Sequence, residues 1–153
     1  MSSTTSISNA PAESRSVNWE RYALVGIATV IAAVVANVLV YFAGSAVVGY
    51  DPQFIVLANV SATILFTVVP AIVAVLLYAV LLRNTADPAR TFTIIAAVAL
   101  VISLIPDITY IPSVPGATTG QTATLMVMHI VAAAVIVWML TTFTRPQSRV
   151  RNS

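Results

Sequence analysis

The chain has 153 residues, 59% hydrophobic and 8% charged, with a net charge of +2, whereas a soluble domain carries about 25% charged residues. Too few polar side chains remain to cover a water-facing surface, and seven scattered basic residues, all arginine, make no basic face for nucleic acid. Without cysteine there is no disulfide, no thiolate metal site and no thiol nucleophile.

The length fits one domain. Residues 1–18 are rich in Ser, Thr, Asn and Ala and show no helical or strand periodicity, which predicts a mobile tail. Trp19 and Tyr22 beside Glu20 and Arg21 read as an interfacial anchor. A first uncharged run covers 22–43, and about 20 apolar residues suffice to cross a hydrocarbon core of roughly 30 Å. A short loop with Gly49 and Asp51-Pro52 leads to a second run over 55–82, longer than a crossing requires. Pro70 removes a backbone donor near its middle and favours a kink. Residues 84–90 form a polar turn with Asp87-Pro88. The third run covers 91–111 and contains Pro106 and Asp107, and a turn rich in Pro and Gly follows over 112–120. The fourth run, 121–143, ends at Arg145-Pro146 and a basic tail, 145–153. Transmembrane strands would alternate polar and apolar residues. These runs do not alternate, so the expected fold is all-α, a four-transmembrane-helix bundle over residues 19–144.

Orientation follows from the arginines. Arg15 and Arg21 precede the first run, Arg83 and Arg90 flank the second turn, and Arg145, Arg149 and Arg151 follow the last. The other two loops carry no Lys or Arg. Basic residues are retained on the cytoplasmic face, so the N-terminus and C-terminus are both expected there. A signal peptide with a cleavage site at Ala43-Gly44-Ser45 is the alternative for the first run, but its apolar stretch exceeds the roughly 7–15 residues of a signal core. Lipid attachment by prenylation or palmitoylation would require cysteine.

Four side chains stand out inside the runs: Asn37, Asn59, Asp107 and His129. A central Asp costs about 2.5–3.5 kcal/mol on insertion scales, so such groups face the bundle interior. Counted along their helices, all four lie roughly 6–12 Å below the outer boundary. Helical spacing extends each into a stripe: Ala33, Asn37 and Tyr41; Asn59, Thr63 and Thr67; Ser103 and Asp107; Met126, His129 and Ala133. Small residues such as Ala33, Ala96, Ala99 and Ala133 permit close helix approach. Together these features suggest a polar pocket in the outer leaflet.

Plainer readings stand beside it. Asn37 and Asn59 can be packing hydrogen bonds, the prolines tolerated kinks, and Asp107 a headgroup-level residue at a helix end. Burial and pairing act oppositely on a carboxylate and an imidazole, so sequence leaves open whether Asp107 and His129 pair. One His and one Asp are too few for a closed metal site. Nothing beyond a single His argues for haem, and no phosphate loop or nucleophile elbow is present. No cofactor is expected.

The Asn-containing first run, the Leu104-Ile105-Pro106-Asp107 end of the third and the Met128-His129-Ile130-Val131 start of the fourth resemble small bacterial four-helix membrane proteins classed as a domain of unknown function. The resemblance covers about residues 22–143. It implies this topology and a multi-pass location in the inner or plasma membrane, and it carries no activity. The expected function is that of a non-enzymatic accessory or structural membrane component. The alternatives are a binder or carrier of a small lipophilic or protonatable ligand at Asn37, Asn59, Asp107 and His129, and an enzyme with Asp107 and His129 as acid and base. The expected partners are the lipid bilayer and either further copies, through the Ala28-Ala32-Ala36 ridge, or a larger membrane complex.

Overall fold

The computed structural model describes residues 17–144. Most of the expected N-terminal tail, the basic tail, and Arg15, Arg145, Arg149 and Arg151 lie outside the described residues. Within that range four long helices follow one another, α1 (Trp19–Val48), α2 (Val60–Asn84), α3 (Pro88–Thr109) and α4 (Thr119–Phe143), with a 3-10 turn over Ile111–Ser113. There is no strand among the described residues.

Local chemistry sets each helix start. The Asn18 side chain accepts from the Arg21 N–H and caps α1. Asp87 accepts from the Arg90 N–H, with Pro88 following at the first helical position, where its missing N–H leaves nothing unpaired. Thr118 and Gln121 form a reciprocal capping box at α4. α1 ends at Gly49, whose φ of 68° suits glycine. Both α2 and α3 run unbroken through Pro70 and Pro106.

At 1.5 Å per residue these 22- to 30-residue helices are roughly 33–45 Å long, enough to cross a bilayer. Their outward faces are apolar: Leu24, Ile31, Leu39, Phe66, Leu76, Val101 and Ile105 are all exposed. A water-soluble bundle would bury such residues. Here the interior holds Thr29, Asn37, Thr63, Thr67 and Asp107 beside its apolar residues, which is the arrangement lipid favours.

Consecutive helices are neighbours and α4 closes the ring on α1, which is its most extensive packing, while α2 and α4 also meet. Close approach of α1 to α2 depends on Gly26, where an added Cβ would lie 2.8 Å from Val75 Cγ1. α3 is the peripheral helix. Only 6% of its most apolar stretch is buried, against 22–28% for the others, and its two buried residues are Phe92 and Asp107.

The core divides along the bundle axis. One apolar cluster, around Tyr22, Ala33, Ala71, Tyr78, Phe92, Ile136 and Leu140, fills the end bearing the α2–α3 turn. A second, around Tyr41, Phe54, Leu57, Ile111, Leu125 and Met128, fills the end bearing the other two loops. Those loops lock together: Gly116 has φ 76°, and a Cβ there would lie 2.8 Å from the Phe54 backbone nitrogen. Tyr50, between α1 and α2, donates to the Tyr41 carbonyl at 2.7 Å. Burial pushes its phenol above the ordinary value of 10.0, against the opposing pull of its hydrogen bonds.

Candidate functional site

A layer of polar side chains, Asn37, Thr63, Thr67, Asp107 and the partly exposed His129, lies between the two apolar clusters. On α1, Asn37 falls between Ala33 of one cluster and Tyr41 of the other. On α2, Thr63 and Thr67 precede Ala71. On α3, Asp107 falls between Phe92 and Ile111, and on α4 His129 follows Met128 and precedes Ile136. The layer has two parts, one joining α1 to α2 and one joining α3 to α4.

In the first part Asn37 Nδ2 donates to Thr67 Oγ1 at 2.9 Å, and Thr67 Oγ1 donates to the Thr63 carbonyl at 2.7 Å. The polarity follows from the chemistry. The single Thr67 proton goes to its own helix, so its oxygen can only accept, and Asn37 must present its amide N–H. Asn37 Oδ1 and Thr63 Oγ1 remain buried without partners.

In the second part His129 Nδ1 lies 2.9 Å from the Leu125 carbonyl one turn earlier and 3.1 Å from Asp107 Oδ2. A carbonyl cannot donate, so Nδ1 carries a hydrogen. That N–H is aligned with Leu125. Asp107 Oδ2 therefore has a close polar neighbour but no hydrogen bond, and it is buried. The Asp107 side chain is 6% exposed, whereas the imidazole is 39% exposed at the lipid-facing surface of the bundle. The most lipid-exposed helix thus turns its one acidic side chain inward, against the only histidine of the chain.

Asn59 departs from expectation. The second run was expected to be helical from residue 55, with Asn59 inside the span. Residues 55–58 instead form turns within the α1–α2 loop, and α2 starts at Val60. Asn59 is exposed at the cap, its Oδ1 accepting from the Ser61 and Ala62 N–H groups. Capping satisfies donors that the first helical turn leaves free, and a buried amide would forgo this. Ile55, Val56 and Leu57 supplied the apolarity that suggested a longer helix, and Leu57, like Phe54 before it, is fully buried in this loop.

The Ser103 hydroxyl donates to the Leu100 carbonyl at 2.7 Å, within its own helix. Gln121 is fully buried and was not singled out by sequence, although the Thr118-x-x-Gln121 spacing is a capping-box signature. A cavity of ≈ 160 Å³ lies between α1 and α2 beside Gly26, Ile72 and Val75, and another of ≈ 230 Å³ lies beside Pro112, Ala117 and Thr122. Neither is lined by Asn37, Asn59, Asp107 or His129. Among the described residues no three His, Asp or Glu side chains come together as metal ligands would.

Four membrane-length helices with an apolar exterior and a thin polar layer define a multi-pass membrane protein. A family model covers residues 17–146, nearly the whole chain, and by it the protein belongs to the family of unknown function DUF6069. No curated protein and no solved structure matches the chain.

Proposed function

We propose that the protein is a non-enzymatic accessory or structural component of a bacterial inner or plasma membrane, with both termini cytoplasmic. The observation that carries this reading is the use of the buried polar groups. Asn37 and Thr67 tie α1 to α2, and the Tyr22 hydroxyl ties the start of α1 to the Val75 carbonyl. In lipid such bonds, with close packing, hold helices together where the hydrophobic effect does not distinguish helix from lipid. Its partners are the bilayer and further copies or a larger complex, with Ala28 of the small-residue ridge exposed on α1.

The orientation is supported by Arg21, Arg83 and Arg90 at one end of the bundle, with no basic residue in the loops at the other. Arg83 also lies over the Trp19 ring, 4.4 Å from its centroid, which places an aromatic and cationic anchor at that end. The absence of native cysteine makes the test direct. Gln53→Cys should react with an impermeant maleimide added outside intact cells, and Ala86→Cys only after permeabilisation. The reverse pattern would overturn the orientation.

A second reading, a binder or carrier of a small lipophilic or protonatable ligand, is favoured by one feature. Asp107 Oδ2 is buried and unbonded beside a half-exposed imidazole. The two readings separate on Asp107→Asn and His129→Ala. The structural role predicts a change in folded yield alone. Binding predicts normal yield with loss of a co-purifying small molecule, seen by native mass spectrometry of the extracted protein.

A further inference from the structure

We infer that the groove between α1 and α2 is a binding site for one anionic phospholipid, its phosphate held by Arg83 and one acyl chain lying along the groove. The inference rests on the reading above that the bilayer is a partner of this protein, and it names the lipid.

Two exposed stripes form the groove. On α1, Trp19, Ala23 and Ile27 recur four residues apart, and on α2 Ile72, Leu76 and Arg83 share one face. All six are exposed. Ala23, Ile27, Ile72 and Leu76 line the ≈ 160 Å³ cavity together with Gly26, Val30 and Val75. The remaining two meet across the same seam, with Arg83 4.4 Å from the centroid of the Trp19 ring. Ala23 and Gly26 bring little or no side chain, so the furrow stays open to the bilayer.

Its size and course suit a lipid chain. Every lining residue is apolar. A dry apolar cavity of about 150 Å³ takes a benzene-sized guest, so this one takes several methylene groups. Trp19 to Val30 on α1, and Arg83 back to Ile72 on α2, each cover roughly 16 Å of helix, about half of a 30 Å hydrocarbon core. The furrow therefore runs through one leaflet, from headgroup level at Trp19 and Arg83 toward the midplane. A neighbouring helix, about 10–12 Å across, would rest on the rim and leave the furrow empty.

The head of the groove carries the charge. Arg83 is cationic at every physiological pH. It engages Trp19 through the ring face, and among the described residues no carboxylate pairs with it. Its planar fork of N–H donors matches two oxygens of a phosphate, and the Trp19 indole N–H is a further donor. A zwitterionic head brings its own cation beside the phosphate, which competes with Arg83 for it. An anionic head does not.

The experiment uses the full chain in an uncharged detergent, with phosphatidylglycerol and phosphatidylcholine of identical acyl chains at equal concentration. Retention is read by native mass spectrometry, and thermal unfolding verifies that each variant is folded. Wild type is expected to retain one phosphatidylglycerol in preference to phosphatidylcholine. Arg83→Gln should lower that retention about 5-fold. Arg90→Gln, the same charge change at a residue that does not border the furrow, should leave it at the wild-type level. Ala23→Leu fills the furrow from an exposed position and should lower retention of both lipids. Equal losses from Arg83→Gln and Arg90→Gln would mean diffuse charge attraction and overturn the site, as would unchanged retention in Ala23→Leu. Chains that travel in pairs without lipid, and separate on Ala23→Leu, would show a second copy in the groove and overturn the lipid. None of these outcomes touches the orientation, which maleimide labelling at positions 53 and 86 reads separately.

Discussion

The Asn37–Thr67 bond allows the proposed structural role to be tested with a sign as well as a size. Thr67→Val keeps the shape of the side chain and removes its oxygen. The Asn37 amide then loses the acceptor of its Nδ2 while its Oδ1 is already unpartnered, both at a position 5% exposed. In a soluble core, stranding a buried amide costs about 1–3 kcal/mol. In a bilayer the unfolded helices also find polar partners, and measured interhelical couplings average about 0.6 kcal/mol and reach about 1.7 kcal/mol. The lower range governs here, so Thr67→Val should cost roughly 1 kcal/mol. Asn37→Leu removes both amide groups and leaves Thr67 still bonded to the Thr63 carbonyl at 2.7 Å, so it should cost less. Adding Asn37→Leu to Thr67→Val should restore most of the lost stability, because no stranded group remains at that position. The assay is a double-mutant cycle by SDS-induced unfolding in mixed micelles. A double variant at the sum of two costly singles, with no coupling, would refute the claim that this bond joins α1 to α2.

Gly116→Ala should destabilise by about 2–4 kcal/mol, combining a strained positive φ with contact against the Phe54 backbone. Gly49→Ala, whose added Cβ meets nothing within 4 Å, should cost only the conformational part, about 1–2 kcal/mol; thermal unfolding of both variants checks the order. Gly26→Ala should cost about 1–3 kcal/mol by forcing Val75 aside, readable in the same SDS titration. Burial raises the Tyr50 phenol, so the unfolded chain loses this proton first as pH rises. The contribution of Tyr50 is therefore full below about pH 10 and declines above it. In ultraviolet titration, the component missing from Tyr50→Phe should appear above the range of an exposed phenol. Equal titration of the two proteins would contradict its burial.

The number of spans and their order were legible because a transmembrane helix is a local property. Twenty or so apolar residues between polar turns suffice, whatever they pack against. The helix starts at Asn18, Asp87-Pro88 and Thr118-x-x-Gln121 also rest on local chemistry, but the apolar runs read from the sequence begin a few residues later, at 22, 91 and 121. The start of α2 was less legible. Phe54 to Leu57 is as apolar as a helix, but its burial against Ile111 and its neighbours depends on a loop 50 or so residues away in sequence.

Composition and spacing by themselves determined that this chain crosses a membrane four times and carries a few polar side chains at similar depth. Tertiary structure alone decided which of them meet. Asn37 finds Thr67, His129 lies against Asp107, and Asn59 caps a helix outside the layer. The physical reason is that lipid and neighbouring helices are almost equally apolar, so the hydrophobic pattern leaves the rotation of each helix about its axis undetermined. Small residues and polar side chains fix that rotation, and their effect appears only once the helices are packed together.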